Sequence, residues 1–426
     1  MSGWLLIVIL LFLMAIGIPI GVALGLCCVG FFLIEGLPLS TIPRVMMSMF
    51  ESFPFLAIPF FALAGELMNI GGVTDRLFNF AKALVGHIPG GLGHANVVGS
   101  MIFAGMSGSA VADSAGLGAV EIKAMKEDGY DAEFSAAITA ASATVGPIIP
   151  PSIPFVIYGA MTNTSVGALF LGGFFPGIMM GLAMMVVVYY LAIKRGYRKH
   201  PRPTLREFWH IFLQALPTFV TPALIMGGIM GGIVTPTESA VLAVLYAAVL
   251  GVIIYREMTF RDLLNSMVKV ARTVGSVAVA ACAAFIFGWV LTYAGLPQDV
   301  ASFLTAISAN KYVFLLIVNI LLLIIGCFMD TTAALVVVIP VLLPAVHAFG
   351  INTVHFGVLV ILNLMIGLLT PPVGLCAYIV SDLAEVPFEG VVKELIPFIA
   401  ILMIVLLVIT YVPEITMYLP NLFLNK

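Results

Sequence analysis

Gly146-Pro147-Ile148-Ile149-Pro150-Pro151 interrupts a long apolar segment, and Gly367-Leu368-Leu369-Thr370-Pro371-Pro372 interrupts another 221 residues later. Tandem prolines lack amide donors and clash with the preceding helical turn, so each string breaks the helix that contains it. The same offset, carried back, sets Gly105 on Gly326, Ser107 on Phe328 and Ser109 on Asp330. Each half therefore runs in one order: apolar segment, polar tip, second helical segment, polar turn, broken helix. One Pro-Pro pair matches another easily by chance, but matched glycines in a matched order do not. The chain carries an internal repeat.

The composition names the solvent. Of 426 residues, 62% are hydrophobic and 9% charged, with a mean hydropathy of +1.18. A water-soluble domain carries roughly 25% charged residues, so a soluble protein is excluded. About ten apolar stretches approach the ~20 residues that a helix needs to cross a bilayer. A net charge of −3 gives no reason to expect nucleic acid as a partner. The apolar run from Trp4 lacks a basic leader and a small-residue cleavage site, which makes it a retained helix rather than a signal peptide. Cys27, Cys28, Cys282, Cys327 and Cys376 lie in apolar segments without paired spacing, which argues against disulfides and zinc. The histidines are scattered, and no HExxH, GxSxG or Walker pattern occurs, so nothing reads as an enzyme.

The tips explain the repeat. Residues 92–105 are too short to span comfortably, and Gly105-Met106-Ser107-Gly108-Ser109 turns the chain into a helical stretch ending at Lys123 and Lys126. A segment that enters, turns at polar residues and leaves on the same side is a re-entrant hairpin, tolerable only where protein or water meets its backbone groups. Residues 312–347 repeat the design around Gly326-Cys327-Phe328-Met329-Asp330-Thr331-Thr332. Two ordinary helices joined by a loop are the alternative.

Basic residues orient the chain. Lys194, Arg195, Arg198, Lys199, Arg202 and Arg206 crowd into residues 194–209, which the positive-inside rule makes a cytoplasmic linker. Threading outward from it leaves only Arg44, Lys311 and Lys426 outside among 18 Lys and Arg residues. The expected organisation is a first repeat over 1–193, with hairpin 92–127 and broken helix 132–165, and an inverted second repeat over 210–426, with hairpin 312–347 and broken helix 356–381. Residues 3–34 are one bent span or two short ones broken at Gly17-Ile18-Pro19. Stretches 39–51, 73–87 and 258–272 read as amphipathic helices in the interface plane, serving as arms between two rigid bodies or simply covering surface.

The strings Ile58-Pro59-Phe60-Phe61-Ala62-Leu63-Ala64-Gly65-Glu66, Gly105-Met106-Ser107-Gly108-Ser109-Ala110-Val111-Ala112-Asp113, Pro147-Ile148-Ile149-Pro150-Pro151-Ser152 and Thr235-Pro236-Thr237-Glu238-Ser239-Ala240 resemble the large membrane (M) subunit of tripartite ATP-independent periplasmic (TRAP) transporters. The resemblance covers essentially the whole chain. It implies an all-α polytopic membrane protein in the bacterial inner membrane, an inverted-repeat elevator-type transporter with two re-entrant hairpins and two broken helices. It implies Na+-coupled import of a carboxylate-bearing solute, a small four-helix membrane (Q) subunit and a periplasmic substrate-binding (P) protein. The first apolar segment begins almost at residue 1, so the small subunit is expected as a separate chain. Sialic acid is favoured over a C4-dicarboxylate on overall resemblance alone. A stand-alone sodium–dicarboxylate symporter and a channel are the competing readings.

The residues support this chemistry independently. Broken helices expose unpaired N–H and C=O groups; N-termini attract anions and carbonyl ends coordinate cations. One Na+ site is expected from Ser107, Gly146, Ile149 and Pro151, and a second from Phe328, Gly367, Thr370 and Pro372, with Asp330 as a further ligand. No Lys or Arg lies in either tip or either break. An anionic solute then falls to helix N-termini, to the hydroxyls of Ser109, Ser152, Thr331 and Thr332, and to nearby sodium. Asp113, an ionisable residue at membrane depth, joins this solute set; capping a hairpin helix is its other reading. Glu238 is expected to cap a scaffold helix, and Glu66 to make a structural or partner contact.

Overall fold

The computed structural model describes residues 2–51, 53–307 and 310–424, and every described element is helical. Lys426, expected outside, lies beyond the described residues. Seven described helices are long and apolar enough to cross a membrane, or eight if Thr41–Glu51 and Pro54–Ile70 form one bent span. That is fewer than the ten apolar stretches of the sequence, because several stop short: Gly3–Ala15, Ile20–Ile34, Ile153–Thr162, Thr353–Gly367 and Leu375–Ala384 have 10 to 15 residues each. Leu182, Val186 and Ile193 stand exposed along Val166–Arg195, as a lipid-facing helix requires. The protein is a multi-pass helical membrane protein.

The repeat is visible element by element. Helices begin at Gly91, Ala110, Ala132, Ile153 and Val166, and again at Lys311, Thr331, Thr353, Leu375 and Phe388, each pair 220 to 222 residues apart. The first hairpin is Gly91–Ser107, a left-handed Gly108 (φ 62°), then Ala110–Ala115 and Leu117–Glu127. The second pairs Lys311–Phe328 with Thr331–Ala348, turning at Met329-Asp330. The first broken helix is Ala132–Ala143 plus Ile153–Thr162, and the second is Thr353–Gly367 plus Leu375–Ala384. The halves interlock: Leu375–Ala384 packs on Ala132–Ala143, and Ile153–Thr162 packs on Thr331–Ala348. Tyr158, fully buried, donates its hydroxyl to the Thr353 carbonyl at 2.7 Å, tying one half to the other.

Residues 3–34 form two helices, with Gly17 at φ 87° and Pro19 between them. Of the three amphipathic stretches, 39–51 and 73–87 hold the short helices Thr41–Ser48 and Val73–Val85, and one differs from expectation. Residues 258–272 are not a separate surface helix: Phe260–Tyr293 runs unbroken for 34 residues, about 50 Å at 1.5 Å per residue. A capping box between Thr259 and Asp262 starts it, and no proline interrupts its amphipathic first half before the apolar second half. Val73–Val85 is a separate helix, packed between Gly91–Ser107 and Leu205–Met230. Phe80 there meets the rings of Phe208, Phe212 and Phe219 at 5.3 to 6.1 Å. A helix over Leu296–Ile307 was not anticipated. It matches Val73–Val85, and the signal was the pair Gly72 (φ 76°) and Gly295 (φ 75°), 223 residues apart.

The basic stretch is non-helical only over 196–204, because Thr204 and Glu207 form a capping box that starts Leu205–Met230. Arg195 anchors it, pairing with Asp131 at 3.1 Å and Glu394 at 2.6 Å. His200 approaches Asp128 at 3.1 Å, and Tyr197 donates to Asp131 at 2.6 Å. Burial, then the Asp131 hydrogen bond, pushes the Tyr197 hydroxyl up to about 12. These contacts fix the turn after the first hairpin to the linker and to Phe388–Tyr411.

Candidate functional site

In each half the hairpin tip is joined to the broken helix by one backbone hydrogen bond. The Ile153 N–H donates to the Gly108 carbonyl at 3.3 Å, and the Val373 N–H to the Cys327 carbonyl at 3.2 Å. Each break also carries a cis prolyl bond, Pro150-Pro151 and Pro371-Pro372. Glycine is required where the pieces approach. A Cβ on Gly108 would lie 2.6 Å from the Pro151 carbonyl oxygen, and one on Gly146 would collide with the Asp113 carboxylate.

The breaks leave carbonyls without partners. Among the described residues, the carbonyls of Gly146, Ile149, Pro151, Thr370 and Pro372 accept no backbone hydrogen bond, whereas Gly367 accepts from Thr370 at 2.9 Å. The Thr370 hydroxyl turns back to Ile366 at 2.9 Å. Phe328 is the last residue of its hairpin arm, and its side chain is exposed. Ser107 is buried and donates its hydroxyl to Asp113. Oxygen-rich backbone of this kind suits a hard monovalent cation. No group of three His, Cys, Asp or Glu side chains placed to hold a metal occurs among the described residues.

The two tips meet. A cavity of about 440 Å³ is lined by Glu66 and Asn69 of Ala57–Ile70 and by Lys269 and Thr273 of Phe260–Tyr293. Ser107, Ser109 and Gly116 of the first hairpin and Thr332 of the second line it too. An adjoining cavity of about 80 Å³ again touches Ser109 and Thr332, together with Asp330 and Thr331. Gly65 lets the first tip seat against Ala57–Ile70, since a Cβ there would lie 3.0 Å from the Ser107 Cα.

Of the residues singled out for solute, Ser109, Thr331 and Thr332 converge on these cavities. Ser109 caps Ala110–Ala115, accepting from the Ala112 N–H at 3.4 Å. The buried Thr331 hydroxyl has no hydrogen-bond partner among the described residues. Ser152 and Asp113 line neither cavity: Ser152 is buried and caps Ile153–Thr162, and Asp113 is buried behind the tip. Asp330 accepts from the Thr332 N–H at 2.8 Å, capping the second hairpin arm at the rim of the smaller cavity. Glu238 caps Pro236–Val249 in a capping box with Thr235. Sequence reasoning missed Lys269, which brings a cation to the cavity from Phe260–Tyr293, whereas the structural contact expected of Glu66 is present. Lys269 and Glu66 form an ion pair at 2.7 Å. The available signal was Glu66 itself, a lone carboxylate in an apolar helix.

Residues 7–415 match the family model described as tripartite ATP-independent periplasmic transporter, DctM component. The chain is 42% identical over 410 residues to the sialic acid TRAP transporter large permease protein SiaM of Vibrio cholerae, covering 96% of each. It is 39% identical over 371 residues to the C4-dicarboxylate TRAP transporter large permease protein DctM of Pseudomonas aeruginosa, covering 87% of each. Among solved structures, the YdaH transporter of Alcanivorax borkumensis superposes with a TM-score of 0.66 at 14% identity over 88% of each chain. That likeness is one of fold.

Proposed function

The chain belongs to the DctM-component family of TRAP transporters, and from that premise we propose that it is the large subunit of a sodium-coupled importer of a small organic acid. The observation that carries this reading is the meeting of two hairpin tips, each bonded to its own helix break, around one cavity. A volume of about 440 Å³ falls in the range of small-molecule sites. Sodium occupies the carbonyl-rich breaks, so the ions and the solute share the tips and each raises the affinity for the other. Sialic acid is the first candidate solute and a C4-dicarboxylate the second, following the names of the relatives. The solute arrives on a periplasmic binding protein, a small membrane subunit completes the transporter, and the assembly sits in the inner membrane. The tips and broken helices move together as an elevator, while Ala57–Ile70, Pro236–Val249 and Phe260–Tyr293 stay with the scaffold.

Proteoliposomes carrying both membrane subunits test this directly. Uptake of labelled sialic acid or succinate should require sodium and the cognate binding protein together. Uptake without the binding protein would favour a stand-alone symporter, and sodium-independent flux down either gradient would favour a channel.

A further inference from the structure

The larger cavity holds one cation and one anion, and they neutralise each other. Among its lining residues Lys269 alone is positive and Glu66 alone is negative, and their side chains meet at 2.7 Å. The two residues are 203 positions apart, on different helices, and both line the cavity together with residues of the two hairpin tips. Glu66 is held, with 17% of its side chain exposed, whereas Lys269 is 66% exposed. An ammonium has three donors, and Glu66 is the single acceptor that meets it among the described residues. Ser109, Thr273 and Thr332 line the same cavity as this ammonium.

Resting on the functional reading above, we propose that Lys269 receives the carboxylate of the solute, with Glu66 as an internal substitute that holds the lysine while the cavity is empty. The solute carboxylate and Glu66 compete for one ammonium. Competition of this kind makes the site selective, because a neutral analogue cannot repay the separation of the pair. It also ties the charge contact to one conformation: Lys269 stands on the helix facing the tips, so it acts only while the tips lie beside it.

The test uses the complex of both membrane subunits, with N-acetylneuraminate and succinate as probes. Dissociation constants are measured in sodium for the wild type, Lys269→Gln, Lys269→Arg and Glu66→Gln. Lys269→Gln should weaken binding of the transported acid by roughly ten- to hundredfold, the range for a hydrogen bond to a charged group. Lys269→Arg should recover most of that loss. Glu66→Gln should tighten binding by roughly threefold or more, because the competitor loses its charge. The opposite signs of the two glutamine variants are the signature, since a merely structural ion pair would make both weaken alike. Equal weakening by both, or an unchanged constant in Lys269→Gln, overturns the inference. A wild type that shows no sodium-dependent uptake of either acid in proteoliposomes overturns instead the functional reading beneath it.

Discussion

Gly326 and Gly367 meet backbone to backbone: a Cβ built on Gly367 would lie 2.5 Å from the Gly326 Cα. The second hairpin arm thus rests on the second helix break through the two glycines that the repeat offset set in matching places. A side chain at 367 is incompatible with that approach, and one at 326 would press on the Gly367 Cα at 3.0 Å.

Gly367→Ala should separate the tip from the break, because the new methyl faces backbone that cannot rotate away. Overpacking of this type costs about 1–3 kcal/mol. Stabilisation of the purified complex by sodium should be lost, and uptake should fall about tenfold or more. Gly25→Ala, with nothing within 4 Å of the added carbon, is the control and should leave both unchanged.

Replacing sodium by potassium should abolish uptake, and the two halves should not substitute for each other. Ser107→Ala and Asp330→Asn each address one half. Asparagine still caps a helix, so Asp330→Asn keeps the bond to the Thr332 N–H while removing charge. A lowered sodium affinity with an intact fold, read by sodium-dependent thermal stabilisation, is the expected result. Full uptake in potassium would dismiss sodium coupling.

The hairpin and the scaffold should slide past each other. Leu205–Met230, which packs on Pro236–Val249, is counted with the scaffold here; an ideal Cβ on Gly105 lies 3.0 Å from its Pro222 Cβ, close enough for a disulfide after a small backbone adjustment. In a background lacking the native cysteines, the pair Gly105→Cys and Pro222→Cys should cross-link, stop turnover and leave sodium binding intact. Reductant should restore transport. A cross-linked protein working at full rate would rule out the elevator.

Arg195→Ala should destabilise the end of the molecule that carries the basic linker. The guanidinium bonds Asp131 and Glu394 and lies 5.0 Å over the Phe134 ring. A half-buried pair of ion contacts with a cation–π contact supports a loss of about 1–2 kcal/mol. Chemical denaturation of the complex in detergent measures it, and Arg195→Lys should fall between the two, since lysine lacks the two-pronged geometry.

The repeat, both hairpins and both breaks were legible because prolines and glycines impose local geometry that no partner can override. Gly108 and the Pro150-Pro151 pair act on their own backbones, and their effect can be read without knowing the neighbours. The continuity of Phe260–Tyr293 was not legible, since an amphipathic stretch followed by an apolar one is equally consistent with one helix or two. Leu296–Ile307 was missed for a related reason: its marker, Gly295, acquires meaning only beside Gly72.

The sequence by itself determined the solvent, the repeat, the basic linker and the polar tips, all of which rest on composition and on contacts between near neighbours. Only the tertiary structure decided which polar residues share a cavity. Ser152 and Asp113 were as plausible as Ser109 and Thr332 until packing buried the first two and brought the others together. It also delivered Lys269 to Glu66 across 203 positions. A charge's worth depends on distance and on the dielectric around it, and both are properties of the packed molecule rather than of any segment of chain.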